Sequence, residues 1–255
     1  MTIRRLRAAA AAAVLTLTLG LTACSSDDDA TKTASTASAD AATECTFPLA
    51  DAKTGDTINE REFAICQAEA IAKLEGYRLT RVVVGNNPQE LITTIRVQVD
   101  PLVVEMDVPQ ASGVNAKAVV IEGKVYVKLG TSTEYVEVAE DTTDSELILF
   151  ATLPSQWEKT VNPKIAAEET EPGQTYAVVG TDKVDGADVT VLERMTFKGT
   201  EIAKKTVYVD SRFLTLTSVF TVTRSSEPDK VLLQISEQMS EIGQPQDIAD
   251  PRSAN

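Results

Sequence analysis

The sequence predicts an α+β fold, a long and strongly curved antiparallel sheet with a few helices over its concave face. Three observations lead there. Nine or ten segments alternate apolar and polar residues with period two, mostly as neighbouring hairpins. Only two stretches show helical spacing. The third observation sets the surroundings: a basic, then apolar, leader closes on Leu21-Thr22-Ala23-Cys24 and is followed by a long polar run.

In the leader, Arg4, Arg5 and Arg7 form a positive start, residues 8–19 an apolar stretch, and Thr22 and Ala23 the small residues a signal peptidase needs. Residues 8–23 fall short of the roughly 20 apolar positions of a membrane-spanning helix. Residues 1–23 are therefore expected to be a signal peptide. The Leu-small-Ala-Cys pattern resembles the bacterial lipobox, whose cysteine receives a diacylglyceryl group, so Cys24 is the expected lipidation site. Two acyl chains, at roughly 0.8 kcal/mol per buried methylene, anchor stably. The expected location is the cell membrane, lipid-anchored, facing the extracytoplasmic side. Residues 24–44 follow as a flexible tether, nearly all Ser, Asp, Ala and Thr, too polar to build a core. Asp27-Asp28-Asp29 lacks the flanking ligands and turn glycine of a calcium loop and reads as spacer. Residues 45–250 form the single expected domain.

Composition narrows function by exclusion. The formal charge is -14; without the three leader arginines, 21 basic residues against 38 acidic ones leave -17. Such a surface repels phosphate backbones, so no nucleic-acid partner is expected. The absence of histidine removes the commonest metal ligand and the usual base of Ser or Cys nucleophiles. No metal, no cofactor and no catalytic residues are expected. The carboxylates Glu168, Glu169 and Glu171, and Asp182, Asp185 and Asp188, cluster, but nothing in the sequence sets two of them across a cleft. Cys45 and Cys66, exported and not spaced as Cys-x-x-Cys, are expected to form a disulfide worth about 3 kcal/mol in the chain-entropy estimate.

Along the domain, Thr57 and Glu60 fit a capping box for an amphipathic helix of about five turns ending at Gly76. Leu91, Ile95, Val97 and Val99 share one face of the next segment; Leu102, Val104, Met106 and Val108 repeat the pattern. Residues 118–121 and 125–129 flank a turn at Glu122-Gly123-Lys124, and 135–138 is a short strand. Helical spacing at Leu147, Ile148, Phe150 and Ala151 predicts a second helix bounded by Pro154, with Trp157 covering one end of the core. Segments 176–179, 189–197, 206–209, 213–223 and 231–235 alternate again, with Asp185-Gly186 turning the first pair. On the longest, Leu214, Leu216, Phe220 and Val222 share one face and four threonines the other. The polar segment from Gly243 is expected to run over the surface.

Two helices cannot cover the inner face of so many strands. Either the sheet closes on itself or an apolar hollow of lipid size is left; periodicity alone also permits a filled sandwich core.

The order of lipobox, tether, helix, Gly123-Lys124-Val125-Tyr126-Val127, Val184-Asp185-Gly186-Ala187-Asp188, Val207-Tyr208-Val209-Asp210 and Ile242-Gly243-Gln244-Pro245 resembles the actinobacterial LppX and LprG group of envelope lipoproteins. Tyr208 stands where that group has a late tryptophan, and the Cys45, Cys66 pair departs from its pattern. The resemblance implies a half-barrel carrier of the LolA and LolB type. It also implies a role in binding or transferring lipids or glycolipids in the cell envelope, with an acyl lipid or glycolipid as ligand. The expected cavity-lining residues are Leu91, Ile95, Val97, Val99, Val104, Met106, Leu214, Leu216, Phe220 and Val222. A monomer is expected, held at the membrane through Cys24. The alternative is a lipid-anchored extracellular interaction or signalling module with a filled core and no lipid ligand.

Overall fold

The structure, a computed structural model, describes residues 44–85, 90–109, 115–170 and 173–254. The expected leader, Cys24, the tether through residue 43 and Glu171 lie outside the described residues. The strands are β1 (Thr57–Asn59), β2 (Gly76–Gly85), β3 (Leu91–Gln98), β4 (Val103–Pro109), β5 (Asn115–Ile121), β6 (Lys124–Leu129), β7 (Val136–Val138), β8 (Thr175–Val184), β9 (Ala187–Lys198), β10 (Glu201–Val209), β11 (Thr215–Arg224) and β12 (Glu227–Ser240). They form one antiparallel sheet in the order β1-β8-β9-β10-β11-β12-β2-β3-β4-β5-β6-β7. Among the described residues its ends, β1 and β7, do not pair, so the sheet is a half-barrel and not a closed barrel. Helices α1 (Glu60–Ile71), α2 (Leu153–Val161) and α3 (Pro163–Glu169) pack on one another and on the concave face.

Several elements depart from the sequence reading. The first helix is twelve residues, not five turns, because Thr57 and Ile58 are drawn into β1, where Thr57 faces Ala177 and Ile58 faces Tyr176. The capping box at Thr57 and Glu60 does not form. Asn59 caps instead, its side-chain oxygen accepting from the Arg61 N–H at 2.8 Å. Strand β2 is an addition. Its Val82-Val83-Val84 run and its inward Arg81 hide the period-two signal. The stretch expected to be a helix ahead of Pro154 is a series of turns, and Pro154 opens α2 rather than closing its predecessor. Proline suits a first helical turn, where its missing N–H has no partner to lose. Among the described residues α-helices therefore number three and strands twelve, against two helices and nine or ten strands expected.

Local chemistry fixes the turns. Glu122-Gly123 and Asp185-Gly186 take positive φ of 53° and 73°, and of 49° and 84°, the paired left-handed residues of a two-residue hairpin whose twist matches its strands. Asp210, 7 % exposed, organises the turn between β10 and β11: its Oδ1 accepts from the Arg212 and Leu214 N–H groups and its Oδ2 pairs with the Arg212 guanidinium. The expected disulfide joins Cys45 to Cys66 and so ties the start of the described chain to α1.

The segment after β12 docks along the lower end of the sheet, the end where β2 begins and β10 turns into β11. The Gly243 N–H donates to the Gly76 carbonyl at 2.8 Å, the Gln246 N–H to the Gln98 side chain at 2.9 Å, and Arg96 to the Asp247 carbonyl at 2.7 Å. Gly76 is required by this approach: a Cβ there would lie 2.7 Å from the carbonyl oxygens of both Val97 and Gln244.

Candidate functional site

Residues directly opposite on neighbouring antiparallel strands point to one face, so strand register divides the concave face into rows. Near the lower end Tyr77, Val97, Val104, Val120, Val125 and Val138 face one another in sequence across β2 to β7, none more than 7 % exposed. In the next row Met239, Ile95, Met106, Ala118 and Val127 also belong to the core, and Leu79 packs partly buried against it. Helix α2 seals this region with Leu153 and Trp157, both buried, and its Thr160 hydroxyl meets the Tyr77 hydroxyl. Burial pushes the Tyr77 phenol far above its ordinary value, with the Thr160 bond opposing and Glu237 adding to the rise.

Across β9 to β12 and into β2 and β3 the rows change character toward the upper end. Leu192, Val207, Ser218, Glu237, Arg81 and Thr93 form one row. Here a polar group interrupts the apolar face: the Arg81 Nε donates to Glu237 at 2.7 Å and the Ser218 hydroxyl to its other oxygen at 3.1 Å. Burial alone would raise the Glu237 carboxyl, but Arg81, Lys205 and Ser218 together hold it below the usual carboxylate range. Above lies Arg194, Lys205, Phe220, Ile235, Val83 and Leu91, of which only Val83 is buried. The row above that is Thr196, Ala203, Val222 and Leu233, all half-buried. Arg194 pairs with Glu60 of α1, donates to the Gln174 side chain at 2.7 Å and sits 5.4 Å from the Tyr176 ring centre. These contacts confirm that its row faces the helices.

A second concavity opens at the lower end, about 330 Å³ in volume, between Ala70, Lys73 and Leu74 on one side and Arg212 and Leu214 on the other. That is near the lower limit for small-molecule pockets.

Of the residues expected to line a cavity, Ile95, Val97, Val99, Val104, Met106, Leu214 and Leu216 lie within the closely packed core. Leu214 also borders the lower recess. Leu91, Phe220 and Val222 are half-buried in the upper rows. Sequence reasoning missed Val83, Leu233, Arg81, Arg194, Lys205 and Glu237 on the same face. For Lys205 and Glu237 the signal was available, since each is in register with inward apolar neighbours two positions away, Val207 and Ile235 respectively. Asp182, Asp185 and Asp188 sit on the β8–β9 hairpin, where Lys183 pairs with Asp188 at 2.7 Å, and Glu169 lies 3.7 Å from Lys159. Among the described residues no three His, Cys, Asp or Glu side chains are grouped to hold a metal, and no helix is long and apolar enough to cross a membrane.

Fold and face together define a half-barrel whose helices seal one part of the concavity and leave another half-covered. No family model and no curated protein matches the chain. Among solved structures it is similar to the lipoprotein LppX of Mycobacterium tuberculosis, with TM-score 0.46 and 13 % identity over 74 % of this chain and 97 % of that one. It is similar to the MucA/MucB complex of Pseudomonas aeruginosa, with TM-score 0.43 and 18 % identity over 77 % of this chain and 60 % of that one. A LolA superfamily protein of Nitrosomonas europaea matches at TM-score 0.29 and 9 % identity, over 76 % and 96 % of the two chains.

Proposed function

We propose that this chain is a lipoprotein held at the outer side of the cell membrane through a diacylglyceryl group on Cys24, and that its folded part binds acyl lipids or glycolipids of the envelope. It is a binding protein and not an enzyme. The observation that carries the reading is the half-buried apolar strip formed by Leu91, Ile235 and Phe220, widened by Val222 and Leu233. An acyl chain laid there removes apolar surface from water on both partners, at about 25 cal/mol per Å². The protein's own helices leave room for it. Twelve strands at about 4.8 Å spacing span roughly 50 Å along the arc, whereas three helices about 10 Å across cover some 30 Å.

Native mass spectrometry of the protein extracted from its own envelope tests this. A mature chain beginning at a diacylated Cys24 and carrying about one further lipid is expected. A bare chain that also fails to take up a fluorescent fatty acid would leave the filled interaction module as the function.

A further inference from the structure

Resting on that reading, we propose that the ligand is an anionic lipid, its phosphate or carboxylate bound at Lys205 and its acyl chain laid over Phe220, Ile235 and Leu91. Arg194 on β9, Lys205 on the adjacent β10 and Arg81 on β2, beyond β11 and β12, face inward among these rows. Two are matched, Arg194 by Glu60 and Arg81 by Glu237. Lys205 makes no ion pair among the described residues, and the nearby Glu237 is already bonded to Arg81 and Ser218. The row thus carries one positive charge in excess within a chain of net charge -14.

Position gives that charge its meaning. Lys205 is directly opposite Phe220, and the row continues through Ile235 and Val83 to Leu91 without another charged side chain. The lysine as a whole is half-buried beside apolar surface, where a counter-ion offsets hydration that a charged group loses. A cation at one end of a greasy strip is the complement of an anionic headgroup on an acyl chain. On the outer face the neighbouring Lys204 instead pairs with Glu193 at 2.6 Å. A stem lying on Phe220 with its ammonium in open water is the other use such a lysine has, and it confers no headgroup preference.

Calorimetric titration separates the two. The mature chain from residue 24 onward, with Cys24→Ala, is titrated with palmitate, 1-palmitoyl lysophosphatidic acid and neutral 1-palmitoylglycerol. Both anionic probes are expected to bind about tenfold more tightly than the neutral one. Lys205→Gln abolishes that preference while leaving 1-palmitoylglycerol binding unchanged, and Lys205→Arg retains it. Preference for only one anionic probe identifies carboxylate or phosphate as the headgroup group recognised. Equal binding of charged and neutral probes, or a preference that survives Lys205→Gln, overturns the headgroup site while acyl binding stands. Binding of none of the three removes the carrier reading and this inference together.

Discussion

The lower and upper parts of the concave face are made by the same strands, yet one is sealed and the other is not. On β2, Tyr77 is 2 % exposed, while the Arg81 side chain four residues later is 29 % exposed. On β11, Leu216 is buried and Phe220 and Val222 are half-buried. Residue type is part of the difference, since the lower rows are apolar while the upper ones carry Arg81, Glu237, Arg194 and Lys205 among Val, Ile, Leu and Phe. Helix placement is the other part: α1 rises only about 18 Å over its twelve residues, against roughly 33 Å for a ten-residue strand. The lesson is that exposed apolar strand surface here follows from short helices over long strands.

The contrast can be broken most forcefully in the core. Ile95→Ala, at a fully buried position, is expected to cost about 3–4 kcal/mol by urea denaturation, and Leu233→Ala in the upper row about 1 kcal/mol. Equal losses would mean that the two regions are packed alike. Next in size, Cys66→Ser releases α1 from Cys45 and should lower stability by about 3 kcal/mol, with reduction of the parent protein giving the same shift. Gly76→Ala forces a methyl against two carbonyls and should cost about 1–3 kcal/mol, lowering the denaturation midpoint while leaving the proposed acyl binding at the far end intact.

The smallest effect is acid sensitivity. Burial would raise the Glu105 carboxyl, but Lys117 at 2.7 Å and Arg96 at 2.9 Å hold it low, as Arg81 and its neighbours hold Glu237. Folded values below the unfolded value of about 4.3 give a contribution present in full above that pH and lost as pH falls through the folded values. Titrated melting curves should therefore drop below about pH 4, and Glu237→Gln should flatten part of that drop.

Much of this was legible in the sequence. Period two placed β3 to β6 and β9 to β12, and the Glu122-Gly123 and Asp185-Gly186 pairs announced their hairpins, because alternation and left-handed turns are local properties. What failed depended on distant partners. Thr57 and Ile58 carry a good helix start, but β8 offered them a sheet edge. Pro154 marks a helix boundary without saying on which side the helix lies. Alternation puts the inward set on one face of each strand, but which of its members meet helices depends on the length and placement of α1 and α2. Arg81 was missed because an inward charge imitates an outward position until its partner Glu237, 156 residues away, is seen across the sheet.

Backbone hydrogen exchange, compared with and without palmitate on the Cys24→Ala mature chain, tests the central claim most directly. Slowed exchange is expected in residues 81–85, 203–206, 219–222 and 233–236, with residues 95–106 unchanged. Protection confined to residues 70–74 and 212–214 around the lower recess, or none anywhere, would contradict a lipid site on the upper concave face.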